Sequence, residues 1–297
     1  MAPDSQSKLV ALCQKIGSEI PRWTQGAGGN VSFKENGRLW IKATGVRLDS
    51  VTPQFGLAEV NQEALESGLF ALGEGDEEGY RSVVQRSALS GRPSMETGFH
   101  SLSLAKWVMH FHSLPAILMF QRFLTDPKAV TSWARNQPLT MAWVGIKTPG
   151  LELSRALQAT KAEIVVLQNH GVVIQCFDDR PFESLVTFQQ MEEDFCAFWG
   201  YGRSRREIRP APRAVPVKAY FPDVAVFLDR ILRVVESRGP HFRLVTQAEK
   251  IDRDAVEIFE AIQWLYKECP QLTELPNAMA AKLPQLPTEK LRRGQGS

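Results

Sequence analysis

The chain has 297 residues, a formal net charge of +2, 43% hydrophobic and 23% charged side chains. That is enough chain to bury a sizeable core, as one large domain or one domain with an appendage, and the composition is ordinary for a soluble globular protein. The near-neutral charge argues for neither a nucleic-acid nor a membrane partner, M-A-P-D-S-Q-S-K lacks the apolar core of a signal peptide, and no apolar run reaches the length of a membrane span.

Leu9, Leu12, Cys13, Ile16 and Ile20 recur at helical spacing, so residues 5–20 read as an amphipathic helix followed by Pro21. G-A-G-G-N (26–30) gives a flexible backbone, and the turn signal E-N-G-R (35–38) joins V-S-F-K to L-W-I-K-A as a β-hairpin. A glycine-rich turn beside a strand can offer backbone N–H groups to a phosphate; a plain hairpin turn is the favoured alternative on G-A-G-G alone. The acidic piece G-E-G-D-E-E-G-Y (73–80) reads as a mobile surface loop without chemistry. Ser94 is placed to cap a helix from Met95 to about Lys106, weakened locally by Gly98, with Glu96 and His100 one turn apart on one face.

Trp107–His112 reads as a strand, on which side chains two apart share a face. His110 and His112 then point together with Val108, and Met109 and Phe111 lie behind. P-A-I-L-M-F (115–120) continues the apolar segment, and A-W-V-G-I-K-T-P-G-L-E-L (142–153) reads as a short strand, a turn and a helix start. I-V-V-L-Q-N-H-G (164–171) is a buried strand ending at a glycine turn. Leu185, Phe188, Met191, Phe195 and Phe198 form a helical stripe suited to core or subunit contact. The basic stretch 203–213 reads as a solvated linker. Residues 221–228 and 241–245 are expected as short strands, Asp252 as the cap of a helix carrying Ala255, Ile258, Phe259, Ile262, Leu265 and Tyr266, and 283–297 as a frayed tail.

Four of the five histidines are His100, His110, His112 and His170; only His241 lies elsewhere. A catalytic metal site uses about three protein ligands and an open position. His110 and His112 supply two of them and His170 is the natural third. For a lone H-x-H, two half-buried histidines are an equal alternative; His170 and the nearby Glu96 weigh against it. The four cysteines, Cys13, Cys176, Cys196 and Cys269, lack C-x-x-C spacing, as in a reduced cytoplasmic protein.

G-A-G-G-N-V-S (26–32), L-W-I-K-A-T-G-V (39–46), P-S-M-E-T-G-F-H (93–100), H-F-H (110–112) and L-Q-N-H-G (167–171) together resemble the class II aldolase/adducin family. That family includes fuculose- and rhamnulose-phosphate aldolases and ribulose-phosphate 4-epimerases. The likeness is strongest to the aldolase half of bacterial fusions with a short-chain dehydrogenase. No G-x-G-x-x-G unit for such a second half follows here. The resemblance implies a three-layer α/β/α domain with a central, mainly antiparallel sheet over residues 1–208, and a mostly helical C-terminal extension over 209–297. It implies a metal-dependent lyase that reversibly cleaves a ketose phosphate or related sugar derivative to dihydroxyacetone phosphate and an aldehyde, through a metal-stabilised enediolate.

The same resemblance gives the metal to His110, His112 and His170, with Zn²⁺ favoured over Mn²⁺ or Co²⁺, and the base to Glu96. It gives the substrate phosphate to Gly29, Asn30, Thr44, Gly45 and Ser94; Lys42 is either an extra cation there or a residue that only lines the sheet edge, and His100, which corresponds to a family histidine that is not a metal ligand, either hydrogen-bonds behind the ligands or only packs. It implies a cytoplasmic homotetramer acting on a small sugar phosphate, with no nucleic-acid or membrane partner. The base works best with its pKa raised toward neutrality by an apolar surround, here Phe99, Met95 and Trp107.

Three departures bear on the substrate. Ser94-Met95 stands where relatives have Ser-Ser, which removes one phosphate hydroxyl. None of Tyr80, Tyr201, Tyr220 and Tyr266 lies where a tyrosine acid is expected after H-x-H. The short span from Glu96 to His110 reshapes the aldehyde pocket. An epimerase or decarboxylase on the same metal site is the first alternative; an adducin-like binding protein, with no need for convergent imidazoles, is the second.

Overall fold

The computed structural model describes residues 1–202, 214–245, 248 and 252–286. The N-terminal helix is α1 (Pro3–Gly17), with Leu9, Val10, Leu12, Cys13 and Ile16 on its buried face. The glycine run enters β1 (Asn30–Glu35), which turns at Asn36-Gly37 into β2 (Arg38–Lys42). Both turn residues have positive φ, 50° and 71°. A two-residue hairpin loop needs that backbone to match the strand twist.

β3 (Leu57–Asn61), α2 (Gln62–Phe70), α3 (Glu77–Ser87) and β4 (Ala88–Ser90) follow. Part of the acidic segment 73–80 is therefore ordered helix rather than loop. Asp76 caps α3 by accepting from Gly79 N–H at 2.8 Å. Tyr80 is fully buried; its hydroxyl donates to the Met95 carbonyl at 2.5 Å and accepts from Gly98 N–H at 3.1 Å.

The helix expected from Met95 to Lys106 is shorter. α4 spans Thr97–Leu102, with Glu96 at its N-cap. The Ser94 hydroxyl accepts from the Glu96 N–H at 3.2 Å. The chain leaves the helix at Ser103, whose hydroxyl donates to Gln175 at 2.6 Å while its carbonyl accepts from Lys34 Nζ. These tertiary bonds replace the helical ones that would have carried α4 onward.

β5 (Trp107–Phe111) is completely buried and is followed by α5 (Leu114–Thr125), α6 (Pro127–Arg135), β6 (Met141–Val144), α7 (Leu151–Gln158), β7 (Ile164–Leu167), β8 (Gly171–Cys176) and α8 (Pro181–Trp199). The eight strands form one sheet in the order β4-β3-β2-β1-β5-β8-β7-β6. Its pairs are antiparallel except β6 with β7.

Trp107, Met109 and Phe111 face a core shared with α1, α5 and α8. Val108 faces the opposite side, with Phe99 of α4 and Leu153 and Leu157 of α7. Further along that side, α2 and α3 cover Leu39 and Val60. The result is the expected three-layer α/β/α architecture. Four of the α8 stripe residues, Leu185, Phe188, Met191 and Phe195, lie inside this core, while Phe198 is 70% exposed. The stripe is thus mostly used within the chain and is not an open subunit face.

The C-terminal part contains α9 (Pro222–Val226), α10 (Leu228–Val234), a hairpin of β9 (Val235–Arg238) and β10 (His241–Leu244), α11 (Arg253–Glu268) and α12 (Asn277–Lys282). The strand expected at 221–228 is instead helical. Pro222 opens α9, where its fixed φ suits the first helical position. The strand at 241–244 forms, and Asp252 caps α11 by accepting from Ala255 N–H at 3.1 Å. Leu283 is buried, so the start of the tail is packed rather than frayed. The linker 203–213 and tail residues 287–297 lie outside the described residues.

This part shares a core with α5 through Leu114, Ile117 and Leu118. The opposite side of α5, at Ala116, Met119 and Phe120, packs on the sheet. That double burial explains why 114–120 is continuously apolar. Polar ties reinforce it: Arg47 pairs with Asp254 at 2.6 Å and Glu257 at 3.0 Å, and Asn169 Nδ2 donates to the carbonyls of Tyr220 at 2.9 Å and Thr273 at 2.5 Å. No helix among the described residues is long and apolar enough to cross a membrane.

Gly171 opens β8 at φ 117°, and a Cβ there would lie 2.3 Å from the Phe111 carbonyl oxygen. At Gly37 (φ 71°) a Cβ would meet only open space. Gly37→Ala is expected to cost about 1–2 kcal/mol, the left-handed backbone term alone. Gly171→Ala is expected to cost more than about 3 kcal/mol, because a backbone atom must also move. Urea unfolding of the two variants checks the difference, and equal costs would contradict the packing described.

Candidate metal centre

The site is built where β1, β5 and the β7–β8 turn meet. Asn30 of β1 lies opposite His110 of β5 in the antiparallel register. Strand alternation turns both toward α4. His112 follows one residue beyond β5. His170 is held in the turn between Asn169 (φ 56°) and Gly171, and its N–H donates to the Leu167 carbonyl at 3.2 Å.

His110, His112 and His170 are all buried, and their candidate ligand atoms lie within 4.8 Å of one another. The three ring centroids form a near-equilateral triangle, with separations of 4.9, 5.1 and 5.2 Å. Glu96 Oε1 lies 3.6 Å from His110 Nε2 and 3.4 Å from His170 Nε2. His110 Nδ1–H donates to the Val172 carbonyl at 2.9 Å, which leaves Nε2 as a bare lone pair. Neither that Nε2 nor Glu96 Oε1 has a hydrogen-bond partner, although both are buried. Buried polar atoms are rarely left so. Converging imidazole lone pairs beside an unpaired carboxylate oxygen fit a divalent cation.

Glu96 is held by its other oxygen. Asn30 Nδ2 donates to Oε2 at 2.7 Å and sits 3.4 Å from Ser94 Oγ. Asn30 Oδ1 in turn accepts from His100 Nε2. That fixes the His100 tautomer, because Nδ1 must then accept from Ser32 Oγ at 2.7 Å. His100 therefore stands behind Asn30 and Glu96, and Phe99 stacks on it with a centroid separation of 4.4 Å.

Electrostatics differ from the sequence expectation. Burial alone would raise the Glu96 carboxyl, but His110, His170, His112 and the Asn30 hydrogen bond outweigh it and hold its pKa at about 2. The expected apolar surround is incomplete, since Trp107 lies on the opposite sheet face and donates to Asp179 at 2.9 Å. Desolvation lowers His110, and lowers His170 to about 3, despite the opposing pull of Glu96. At neutral pH the site is thus an ionised Glu96 carboxylate facing the neutral imidazoles of His110 and His170, the protonation state that a cation requires.

The cleft beside these residues is lined by Gly29, Asn30, Thr44, Gly45 and Ser94, and also by Lys42, Met95, Glu96, His112, His170, Pro222 and Leu283. The structure therefore brings the candidate phosphate residues to one place. Several polar groups there already have partners. Gly26 N–H donates to Glu257 at 2.9 Å, Gly28 N–H to Gln25, and Thr44 N–H to Arg92. Lys42 Nζ donates to the carbonyls of Ala27 at 3.1 Å and Val46 at 2.8 Å. Asn30 is engaged with Glu96 and His100, as described above.

Two features escaped sequence reasoning. Tyr80 supports the backbone around Glu96 from a segment read as loop. Asp223, read as part of a strand, is fully buried and places Oδ2 in direct contact with His112 Nδ1. The Pro-Asp helix-start pattern at 222–223 was the available sign of a helix there, though not of its target.

The mainly antiparallel sheet between helical layers thus brings three histidines that could hold a metal ion together with the buried Glu96. A family model described as Class II Aldolase and Adducin N-terminal domain matches residues 7–194, and the chain belongs to that family. Among solved structures, it is similar to an N-terminal class II aldolase domain from Thermoplasma acidophilum (18% identity, TM-score 0.55, covering 66% of this chain and 95% of that one). It also resembles YgbL from Escherichia coli, provisionally described as an aldolase/epimerase/decarboxylase (19%, 0.46, 67% and 90%). An L-fuculose-1-phosphate aldolase from Thermus thermophilus gives 17%, 0.43, 65% and 94%. No curated protein matches the chain in sequence.

The pKa shifts set a pH dependence for the metal-free chain. His170 and His110 have folded pKa values below the unfolded 6.5, so the unfolded chain takes up protons first and stability falls as pH drops below about 6.5. Glu96, depressed from 4.5 to about 2, adds a further loss as pH falls from 4.5 toward 2. Each histidine contributes a slope of up to about 1.4 kcal/mol per pH unit. Urea midpoints of chelator-treated protein between pH 8 and 5 check this. His170→Asn is expected to flatten the acid limb, and an unchanged limb would contradict the assignment.

Proposed function

We propose that this protein is a metal-dependent lyase that reversibly cleaves a ketose phosphate, or a closely related sugar derivative, to dihydroxyacetone phosphate and an aldehyde. The observation that carries this reading is the buried, unpaired Glu96 Oε1 facing three convergent histidines. His110, His112 and His170 would hold a divalent ion, zinc being favoured by all-imidazole ligation. Such an ion supplies Lewis-acid stabilisation of the negative charge that develops on substrate oxygen when the carbon–carbon bond breaks.

The other steps belong to the chain's own residues. Asn30 holds Glu96 Oε2 and leaves Oε1 as the atom that exchanges a proton with the carbanion carbon. Glu96 is ionised at neutral pH and so can accept the proton, although its depressed pKa makes it a weaker base than one raised toward neutrality. His100 and Ser32 lock the Asn30 amide in the orientation this needs. Gly29, Asn30, Thr44, Gly45 and Ser94 are proposed to receive the phosphate, with Lys42 adding positive charge at the cleft. We retain residues 1–208 as the catalytic domain and 209–297 as the extension; the core that the extension shares with α5 supports their folding together, and limited proteolysis between them that leaves the parts associated would agree with this.

The four buried convergent groups favour an enzyme over a binding-only protein, and product analysis separates the lyase from an epimerase or decarboxylase on the same metal site. Metal-loaded protein is to be incubated with a panel of ketose 1-phosphates while dihydroxyacetone phosphate is detected. Glu96→Gln is expected to keep its metal and lose about 10²–10⁴-fold in turnover. His110→Ala, His112→Ala and His170→Ala are each expected to lose most of the metal. Full metal retention in all three would refute the ligand assignment. Isomerised or decarboxylated product without dihydroxyacetone phosphate would replace the lyase reading by its alternative.

A homotetramer is also proposed, from family membership alone. Exposed Val186 and Phe198, on the outer side of α8, are the apolar residues available there for a contact. Light scattering at micromolar concentration is expected to give a multiple of the 33.3 kDa chain, and a monomer would remove the proposal.

A further inference from the structure

The family model ends at residue 194, yet a residue well beyond it reaches the histidine cluster. Asp223 is the second residue of α9 and is fully buried. Its Oδ2 is in direct contact with His112 Nδ1. Gly28 makes room for the pair, since a Cβ at that position would lie 2.9 Å from His112 Nδ1.

The placement is firmly set from both sides. Ser113, next to His112, caps α5 by accepting from Ala116 N–H at 3.0 Å. Leu114, Ile117 and Leu118 of α5 then share one core with Phe221, Val224 and Phe227 around Asp223. Asn169, the neighbour of His170, holds the Tyr220 carbonyl at 2.9 Å. The element bearing Asp223 is thus fastened to the residues adjoining two of the three histidines.

An imidazole ligates through one ring nitrogen, and the partner of the other nitrogen decides which one is free. For His110 that partner is the Val172 carbonyl, inside the sheet. For His112 the group in contact with the other nitrogen is a carboxylate from the C-terminal part, an ion-pair contact rather than an aligned hydrogen bond. A carboxyl group placed against Nδ1–H also makes the free nitrogen a stronger donor to a cation.

We propose that Asp223 is a positioning residue of the metal centre, holding the His112 proton on Nδ1 so that Nε2 faces the cation, and that the C-terminal extension is therefore a structural part of the site. This rests on the three-histidine metal reading. It gives residues beyond the family domain a chemical role, because a chain with a displaced extension keeps all three ligands but loses the orientation of one.

The test uses the full chain, with zinc affinity measured against a competing chelator. Asp223→Ala is expected to bind zinc about 10–100-fold more weakly than wild type, the usual effect of removing a carboxylate behind a histidine ligand. Asp223→Glu is expected to recover part of the loss. Wild-type affinity in a folded Asp223→Ala, judged by near-ultraviolet circular dichroism, overturns the proposal. If Asp223→Ala does not fold, Asp223→Leu, which fills the space without an acceptor, takes its place with the same two outcomes. Nitrogen-15 spectra of histidine in the metal-free chain give a second readout. Wild type should carry the His112 proton on Nδ1, and Asp223→Ala should move part of it to Nε2. If wild type binds no zinc, the metal reading fails, and these spectra still decide whether Asp223 sets the tautomer.

Discussion

The central constraint is a carboxylate buried at the end of a β-strand pair without an uncharged way to be satisfied. Burial of an ionised group is costly unless opposing charge or several donors surround it. Glu96 has one donor, Asn30, on Oε2, and only imidazole nitrogens facing Oε1. Those imidazoles are themselves disfavoured as cations by desolvation. Among the described residues nothing donates to Oε1, and the three imidazoles beside it form a cluster that could hold a divalent ion.

Much of the fold serves to hold that arrangement. The antiparallel pairing of β1 with β5 sets Asn30 beside His110, and the left-handed turn at Asn169 presents His170 to the same point. Tyr80 braces the backbone on both sides of Glu96 through Met95 and Gly98. The chain Ser32–His100–Asn30–Glu96 has one consistent donor order, so the carboxylate is oriented rather than merely enclosed. α5 links the sheet to the C-terminal part by burying both of its sides.

Functional residues in this protein come from segments of different character. The three candidate ligands and the proposed base lie in or next to regular elements of the family domain, where sequence pattern and geometry agree. Pro222 and Leu283, by contrast, enter the cleft wall from beyond the matched segment. The substrate space is therefore shaped partly by residues that the family pattern does not describe. That is a physical reason for substrate choice to differ among chains with the same metal ligands.

The sequence by itself determined the elements whose side-chain period was long and regular. It located α1, the β1–β2 hairpin, β5 and α11, because burial on one face imposes a repeat that survives in the residue order. It also singled out His110, His112, His170 and Glu96 as candidates, since two-residue spacing on a strand and a glycine turn constrain direction locally, and the structure places the four side by side. Tertiary structure decided the rest. α4 stops early because Ser103 bonds to Gln175 and Lys34, which are distant in sequence. Residues 221–228 are helical because Pro222 starts a helix packed on α5, although the composition suits a strand. The depressed pKa of Glu96 needs three histidines brought around it, and the contact of Asp223 with His112 joins residues 111 positions apart. Such contacts leave no periodic trace in the chain, because each depends on the packing of whole elements rather than on neighbours in sequence.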